Sequence, residues 1–420
     1  MTSDRDPPLL TRIIALAVGV ASGSAALETP AAEWRMNPSV LVKSEYTNNY
    51  FVQPSRQSAW VNTVGPTVRL TGSTETLSSS LGAGLFGRWV TGISDQNTWN
   101  AGLDWNTVYR RERSTFGLDV KFLRDSTLVS ELQQTGVVLN SATRNYYSIT
   151  PNWNYILTER WSLALSGIGA WSRYQNAAPG TLNNSDAYSG TAGLLYELTQ
   201  QTQLSGSVTY RSIKYSPNVS ETSAGSFQVG GSHRFTETTR GSLSVGYFNS
   251  DSQFQAGALV CPGPVVLCDT GALAPVRLTQ TVDTRASGFL AEGSFQAALT
   301  PATSVSARLR QDLYPSGSGS VVKSSTLALG LGHQFTEKLR GNVDASAVRS
   351  LYLADQLSNR DAWYSALSAG LAYQMAPNLW LEGAYRFSWV NYDSASTADA
   401  QVNAVYGLIR YDWPPTSVSR

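Results

Sequence analysis

Polar and apolar residues alternate along most of this chain with a period of two. Over 99–110, W-N-A-G-L-D-W-N-T-V-Y-R places Trp99, Ala101, Leu103, Trp105 and Tyr109 on one face and Asn100, Gly102, Asp104, Asn106 and Arg110 on the other. The following stretch opposes Phe116, Leu118, Val120 and Phe122 to Asp119 and Lys121 across a short turn at Glu112 and Arg113. Successive side chains project to opposite faces only in an extended backbone, so this pattern predicts strands with one apolar and one polar face rather than helices. Followed along the chain, it predicts eighteen strands, from 38–47 to 401–413.

Short turns of one recurring form punctuate the strands: L-T-E-R-W at 157–161, L-T-Q-Q-T-Q-L at 198–204, F-T-E-T-T-R at 235–240, L-T-P-A-T at 299–303, F-T-E-K-L-R at 335–340 and M-A-P-N-L-W at 375–380. Tight turns at one end, about eight of them, alternate with about nine longer loops at the other, as an outer-membrane barrel requires. The longest loop is expected over 250–283. The predicted fold is all-β: a single transmembrane up-and-down antiparallel β-barrel of about eighteen strands, because lipid tolerates no open sheet edge. An even strand count puts both ends of the barrel on the periplasmic side. A soluble propeller or stacked sandwich would also show many short strands. It would not call for aromatic residues at strand ends, which are read here as interface anchors at Trp161, Tyr174, Trp380 and Tyr392. Small residues at outward positions, Gly190, Ala192, Ala291, Gly293, Ala345 and Ala347, suit a lipid-facing wall, which need only avoid charge.

The N-terminus has the three-part form of an export signal over 1–26: Arg5 and Arg12, an apolar run over 13–21, then Ser24-Ala25-Ala26, with cleavage expected after Ala26. That run is too short to cross a hydrocarbon layer of about 30 Å. The barrel is then expected over 27–413 and a short periplasmic tail over 414–420, since Pro414 and Pro415 cannot extend a ladder. No linker or compositional shift divides the 420 residues. Only 15% are charged, the formal net charge is +1 and no basic run occurs, which argues against a nucleic-acid partner.

Candidate chemistry is sparse. His233 and His333 occupy equivalent places, two residues before the Phe of F-T-E. Strand parity turns both outward with that Phe, so an interfacial position is expected and no catalytic residue is assigned, although a lipid-facing Ser/His hydrolase would also place a histidine outward. Cys261 and Cys268 flank P-G-P-V-V-L in the long loop, where a local disulfide in an oxidising compartment would staple the loop tip. No metal site, cofactor motif or phosphate-binding loop is expected. Parity turns a mixed set of polar and charged residues toward the interior as pore-lining candidates: Asn100, Asp104, Asn106, Arg110, Asp119, Lys121, Asn152, Asn154, Arg211, Glu292, Arg308, Arg310, Asp344, Glu382, Arg386 and Arg410. Such residues can simply pair or be solvated in a wet lumen. Their mixture of signs suits weak selectivity, or a neutral hydroxylated polymer, better than steering of one highly charged solute.

The opening P-S-V-L-V-K-S-E-Y-T-N-N-Y-F-V at 38–52, followed by V-G-P-T-V-R-L at 64–70, resembles the outer-membrane β-barrel porin type 2 family. Tyr46-Thr47-Asn48-Asn49 stands where that family's first strand ends in a Tyr-Thr-Asp-Asn-like motif, with Asn in place of Asp. The closing V-Y-G-L-I-R-Y-D-W at 405–413 resembles the terminal signal read by the barrel assembly machinery. The resemblance implies a porin-like outer-membrane barrel in contact with outer-membrane lipid, linked to exopolysaccharide production, with polysaccharide export components as partners. A non-conducting structural barrel of the same export system is the alternative.

Overall fold

The computed structural model describes residues 33–135, 141–176, 182–216, 220–260, 276–317, 319–353, 361–392 and 399–417. The expected signal and both cysteines lie outside the described residues. Eighteen strands form the wall: β1 (Glu33–Thr47), β2 (Ala59–Ser73), β3 (Leu77–Thr91), β4 (Thr98–Arg111), β5 (Ser114–Ser126), β6 (Thr143–Ile156), β7 (Trp161–Gln175), β8 (Asn184–Glu197), β9 (Thr202–Ser216), β10 (Ser220–Arg234), β11 (Thr239–Val260), β12 (Val276–Thr300), β13 (Thr303–Pro315), β14 (Val321–Gln334), β15 (Leu339–Tyr352), β16 (Ala362–Ala376), β17 (Leu379–Tyr392) and β18 (Ala400–Asp412). Each pairs antiparallel with the next, and β1 closes the sheet on β18 from Ser39 opposite Asp412 to Thr47 opposite Ala404. Closure leaves no edge among these strands, and their length exceeds the roughly 9–11 tilted residues needed to cross a bilayer. Beyond Pro414 and Pro415, a two-residue strand, β19 (Thr416–Ser417), returns to pair with Arg35 and Met36 at the start of β1.

The alternation places large apolar side chains on the outer wall, where Leu103, Leu243, Val245, Phe289, Leu329, Leu371, Val405 and Ile409 are all exposed. An exposed belt of this kind is stable only against lipid. The recurrent threonine of the tight turns has a local cause. Thr158, Thr199 and Thr336 each accept the backbone N–H three residues on through Oγ1, at 3.0 to 3.1 Å, which closes the turn on itself. Thr74 does the same for Leu77 at 3.0 Å.

Two regions depart from the sequence reading. Over 250–283 the chain does not loop out directly: β11 and β12 continue their ladder as far as Val260 opposite Val276, a ribbon rising above the wall. The inward excursion occurs instead between β5 and β6, where a helix, α1 (Thr127–Thr135), forms in a segment with no strand periodicity. Ser126 Oγ accepts the Leu128 N–H at 3.3 Å at its start, and Thr127 Oγ1 accepts the Ala142 N–H at 2.9 Å, tying the two ends of the excursion together. Leu128 and Leu132, one turn apart, reach different parts of the wall. Leu128 packs with Tyr50, Ala59, Val61 and Val90, whereas Leu132 packs with Val52, Val348, Tyr364, Val390 and Val402. The helix therefore lies across the upper interior, held by apolar contacts on β2–β3 and on β15–β18. A third cluster, with Ile213, Tyr215, Phe248, Leu290, Leu313 and Val321, fills the interior beside the β13–β14 loop.

Candidate functional site: the barrel interior

Strand pairing turns all sixteen candidate residues toward the interior, because each stands opposite another inward position, and the register shifts at Ala298/Thr300 and Gln374/Ala376 lie beyond them. Asp104 pairs with Lys121 and Asn106 with Asp119 across β4–β5. Glu292 faces Arg310 and Ser294 faces Arg308 across β12–β13, while Ala372 faces Glu382 and Ser368 faces Arg386 across β16–β17. Asn152 and Asn154 of β6 stand opposite Gly117 and Thr115, Arg211 of β9 opposite Ala224, Asp344 opposite Gly330, and Arg410 opposite Leu41 and Trp380.

Most inward charges meet an opposite charge or an amide. Asn106 Nδ2 donates to Asp119 at 2.5 Å and Arg110 Nη1 to Ser78 Oγ at 3.4 Å. Arg69 lies 3.5 Å from Asp104, and Arg410 3.4 Å from Glu382. Asp312 holds Arg211 at 3.2 Å and Arg310 at 2.9 Å. Arg386 reaches Glu45 at 3.1 Å, and Lys43 joins the same carboxylate at 2.5 Å. Asn342 Nδ2 donates to Asp344 at 2.5 Å. The Arg69–Asp104 pair, exposed on both sides, contributes little to stability, typically below about 1 kcal/mol, whereas the pairs at Glu45, Asp312 and Glu382 are half-buried or deeper.

Helix α1 divides the upper interior. On one side a cavity of about 310 Å³ lies between Leu128 and Leu132 and the wall residues Lys43, Glu45, Arg88, Asn100 and Arg386. On the other a narrower space of about 150 Å³ is bounded by Glu131, Arg144, Tyr174, Arg211, Arg310 and Asp312. Glu131 anchors the helix on that side: Tyr174 donates its hydroxyl to Glu131 Oε1 at 2.5 Å, and Arg144 pairs with Asp125 at 3.2 Å beside it. Burial pushes the Glu131 carboxyl above the ordinary carboxylate range, against the opposing pull of Tyr174, Arg144 and the Gly317 backbone. Gly317 approaches closely: a Cβ there would meet Leu182 Cδ2 at 2.9 Å and the Tyr174 hydroxyl at 3.1 Å, so both side chains would have to give way. Loops β5–β6, β7–β8 and β13–β14 thus converge on one half-buried tyrosine.

Two aromatic residues expected at the lipid interface are turned inward instead. Tyr174 belongs to the helix anchor, and Trp380 stands opposite Arg410 with the Arg340 and Arg410 guanidinium groups 4.6 and 5.6 Å from its ring centre. Parity decides this: Trp380 is one residue from outward Leu381, and an indole between two guanidinium groups gains cation–π attraction in place of an interfacial seat. Trp161 does face outward, 4.7 Å from the Tyr196 ring. The Tyr392 side chain lies outside what is described.

The two histidines do share one outward environment. His233 Nδ1 meets Thr202 Oγ1 at 2.8 Å and His333 Nδ1 meets Thr303 Oγ1 at 2.9 Å, and each ring packs edge-on against its Phe at 4.7 Å. Among the described residues neither forms a pair with a carboxylate, and no group of three potential metal ligands occurs. The Tyr46-Thr47-Asn48-Asn49 motif serves closure. Asn48 Oδ1 accepts the Asn403 N–H at 2.8 Å, while Asn49 Nδ2 donates to the Gln53 and Gln401 carbonyls at 2.6 and 3.0 Å, pinning the β1–β2 loop to β18. Lys43, Glu45, Arg88, Arg234, Arg240 and Asp312 also face inward without having been singled out, although the same two-residue period carries their signal: Asp312 shares the even face of β13 with Arg308 and Arg310. The i,i+4 leucines of α1 were the legible sign of the helix.

Residues 280–411, from within β12 to within β18, match the family model described as "Putative beta-barrel porin 2". The match covers the later strands rather than the opening motif. A comparison with curated proteins finds no match. Among solved structures, the chain is similar to OccAB4 of Acinetobacter baumannii (9% identity, 93% of this chain and 99% of that chain covered, TM-score 0.45). It is also similar to OpdL of Pseudomonas aeruginosa (13% identity, 91% and 98% covered, TM-score 0.42) and to the outer membrane protein opdK of the same organism (11% identity, 91% and 99% covered, TM-score 0.43). The closed eighteen-stranded wall, its apolar outer belt and the porin-family match together make this a porin-like barrel of the outer membrane.

Proposed function

We propose that the barrel is a passive channel for neutral or weakly charged hydroxylated solutes, with fragments of a surface polysaccharide as its cargo. The observation that carries this reading is the interior itself. Charges of both signs alternate with Ser, Thr and Asn around the wall, and the pairs at Glu45, Asp104, Asp312 and Glu382 each join an acid to an arginine. Such a lining offers many hydrogen bonds without a strong field of either sign, which suits sugars. A barrel of sixteen to eighteen strands is wide enough for a lumen, and α1 narrows it. The residues from Asn100 to Arg410 that face inward are then the pore lining. The link to exopolysaccharide production, and to export components as partners, rests on the resemblance of the opening motif.

The helix and the apolar clusters around it favour a second reading, a non-conducting barrel that serves a surface-polymer machine as a structural part. Planar-bilayer recording together with liposome swelling in neutral oligosaccharides separates the two. Stepwise conductance with saccharide uptake supports the channel; a folded, heat-modifiable barrel without conductance supports the structural role. Hydrolytic activity lost on substitution of His233 or His333 would overturn both.

A further inference from the structure

The periplasmic half of the interior holds a polar recess that the mixed lining elsewhere does not resemble. It measures about 620 Å³ and spans the wall from β10 to β15. At one end Arg234 and Arg240 stand directly opposite each other across β10–β11. Like charges in that position repel, and the register brings their side chains onto the same inward face. Among the described residues neither arginine forms an ion pair, and Glu237, on the turn that also lines the recess, pairs with neither. Arg240 does have a neutral partner: its Nε and Nη2 both donate to Gln296 Oε1, at 2.9 and 2.6 Å, which fixes the fork while leaving its charge uncompensated.

The floor of the recess is Ser304 and Ser306 of β13 with Gly330 and Gly332 of β14, so nothing bulky covers the wall. At the far end Asp344 accepts from Asn342 and retains acceptor capacity on its other carboxylate oxygen. The recess therefore presents paired guanidinium donors at one end, hydroxyls along its floor and a carboxylate acceptor at the other. From β11 to β15 the wall runs four strand spacings, on the order of 19 Å, longer than one sugar ring.

We infer that this recess is a binding site for an acidic oligosaccharide, a uronic-acid-containing chain whose carboxylate seats between Arg234 and Arg240 while its hydroxyls bond along Ser304 and Ser306 to Asp344. The inference deepens the channel reading and rests on it for the saccharide part alone; the anion-binding end stands on the arginine pair. Guanidinium forks match a carboxylate bidentately, and a bound carboxylate would relieve the repulsion between the two side chains.

The test uses the full barrel in detergent, with trigalacturonate as the probe and maltotriose as the neutral control of equal length, measured by calorimetry. Trigalacturonate binding is expected to weaken with salt and to fall about tenfold or more in the R234Q/R240Q double variant, the loss of one charge-assisted contact or more. Maltotriose binding is expected to be unchanged by those substitutions. Asp344→Ala should weaken both saccharides, because it removes the acceptor for hydroxyls. Heat-modifiability on gels checks that each variant is folded. Equal binding of trigalacturonate by wild type and the double variant, or no binding by the wild type, overturns the site. Either can occur while liposomes still take up saccharides, and loss of that uptake with trigalacturonate binding intact would sink the channel reading and leave the site standing.

Discussion

The phenol of Tyr174, on the inner face of β7, donates a 2.5 Å hydrogen bond to the carboxylate of Glu131 on α1. The bond ties β7 to a helix whose two leucines pack on β2–β3 and on β15–β18. Glu131 is buried and Tyr174 half-buried, and Gly317 lies against the tyrosine hydroxyl from the β13–β14 loop.

Tyr174→Phe removes one of the hydrogen bonds to the buried Glu131, which costs about 1–3 kcal/mol at this contact. The barrel wall carries none of that energy, so the variant should fold and insert normally. Helix α1 should loosen, and single-channel recordings should show higher or noisier conductance than wild type. Identical conductance would mean that α1 does not define the narrowest passage.

Seating of α1 should strengthen on acidification. Burial raises the Glu131 carboxyl above its ordinary value, so the seated state binds the proton more tightly than the released one. The contribution to seating is therefore largest below the ordinary carboxylate range and is lost as pH rises through the raised value. Conductance should fall as pH drops across that window. Glu131→Gln, which carries no titrating proton, should give the low-pH conductance at every pH.

Asn49→Ala should weaken the seam between β1 and β18. Asn49 is 1% exposed and its amide satisfies two backbone carbonyls, at Gln53 and Gln401. Losing it strands both acceptors, a cost of about 1–3 kcal/mol. The temperature at which the folded band disappears on a gel should drop, whereas Asn62→Ala, on the outer face of β2, should leave it nearly unchanged.

Adjacent residues of β4 should respond oppositely to the same substitution. Trp105 faces lipid near mid-strand, and Arg there costs roughly 2–4 kcal/mol at the bilayer midplane. Asn106 faces inward and already bonds Asp119 at 2.5 Å, so Arg at 106 exchanges an amide for a salt bridge. Folded fractions in lipid vesicles should be low for Trp105→Arg and close to wild type for Asn106→Arg; equal fractions would mean that this register is wrong.

Much of the wall was legible from the chain because a strand declares itself locally: a period of two needs no partner to be seen, and turns close through their own threonines, as Thr158 and Thr336 do. The eighteen strands, the inward parity of residues such as Asp104 and Arg410, and the outward turn of His233 and His333 follow from that period alone. What the tertiary structure decided depends on residues far apart in sequence. Trp380 lies inward because Arg340 and Arg410 approach its ring, and Asn49 matters because β18 arrives beside it. Helix α1 has only nine residues, too few to be stable by propensity. It forms because Leu128 and Leu132 find apolar wall on either flank of the β1–β18 seam and Tyr174 of β7 meets Glu131, contacts that exist only once the sheet has curled shut.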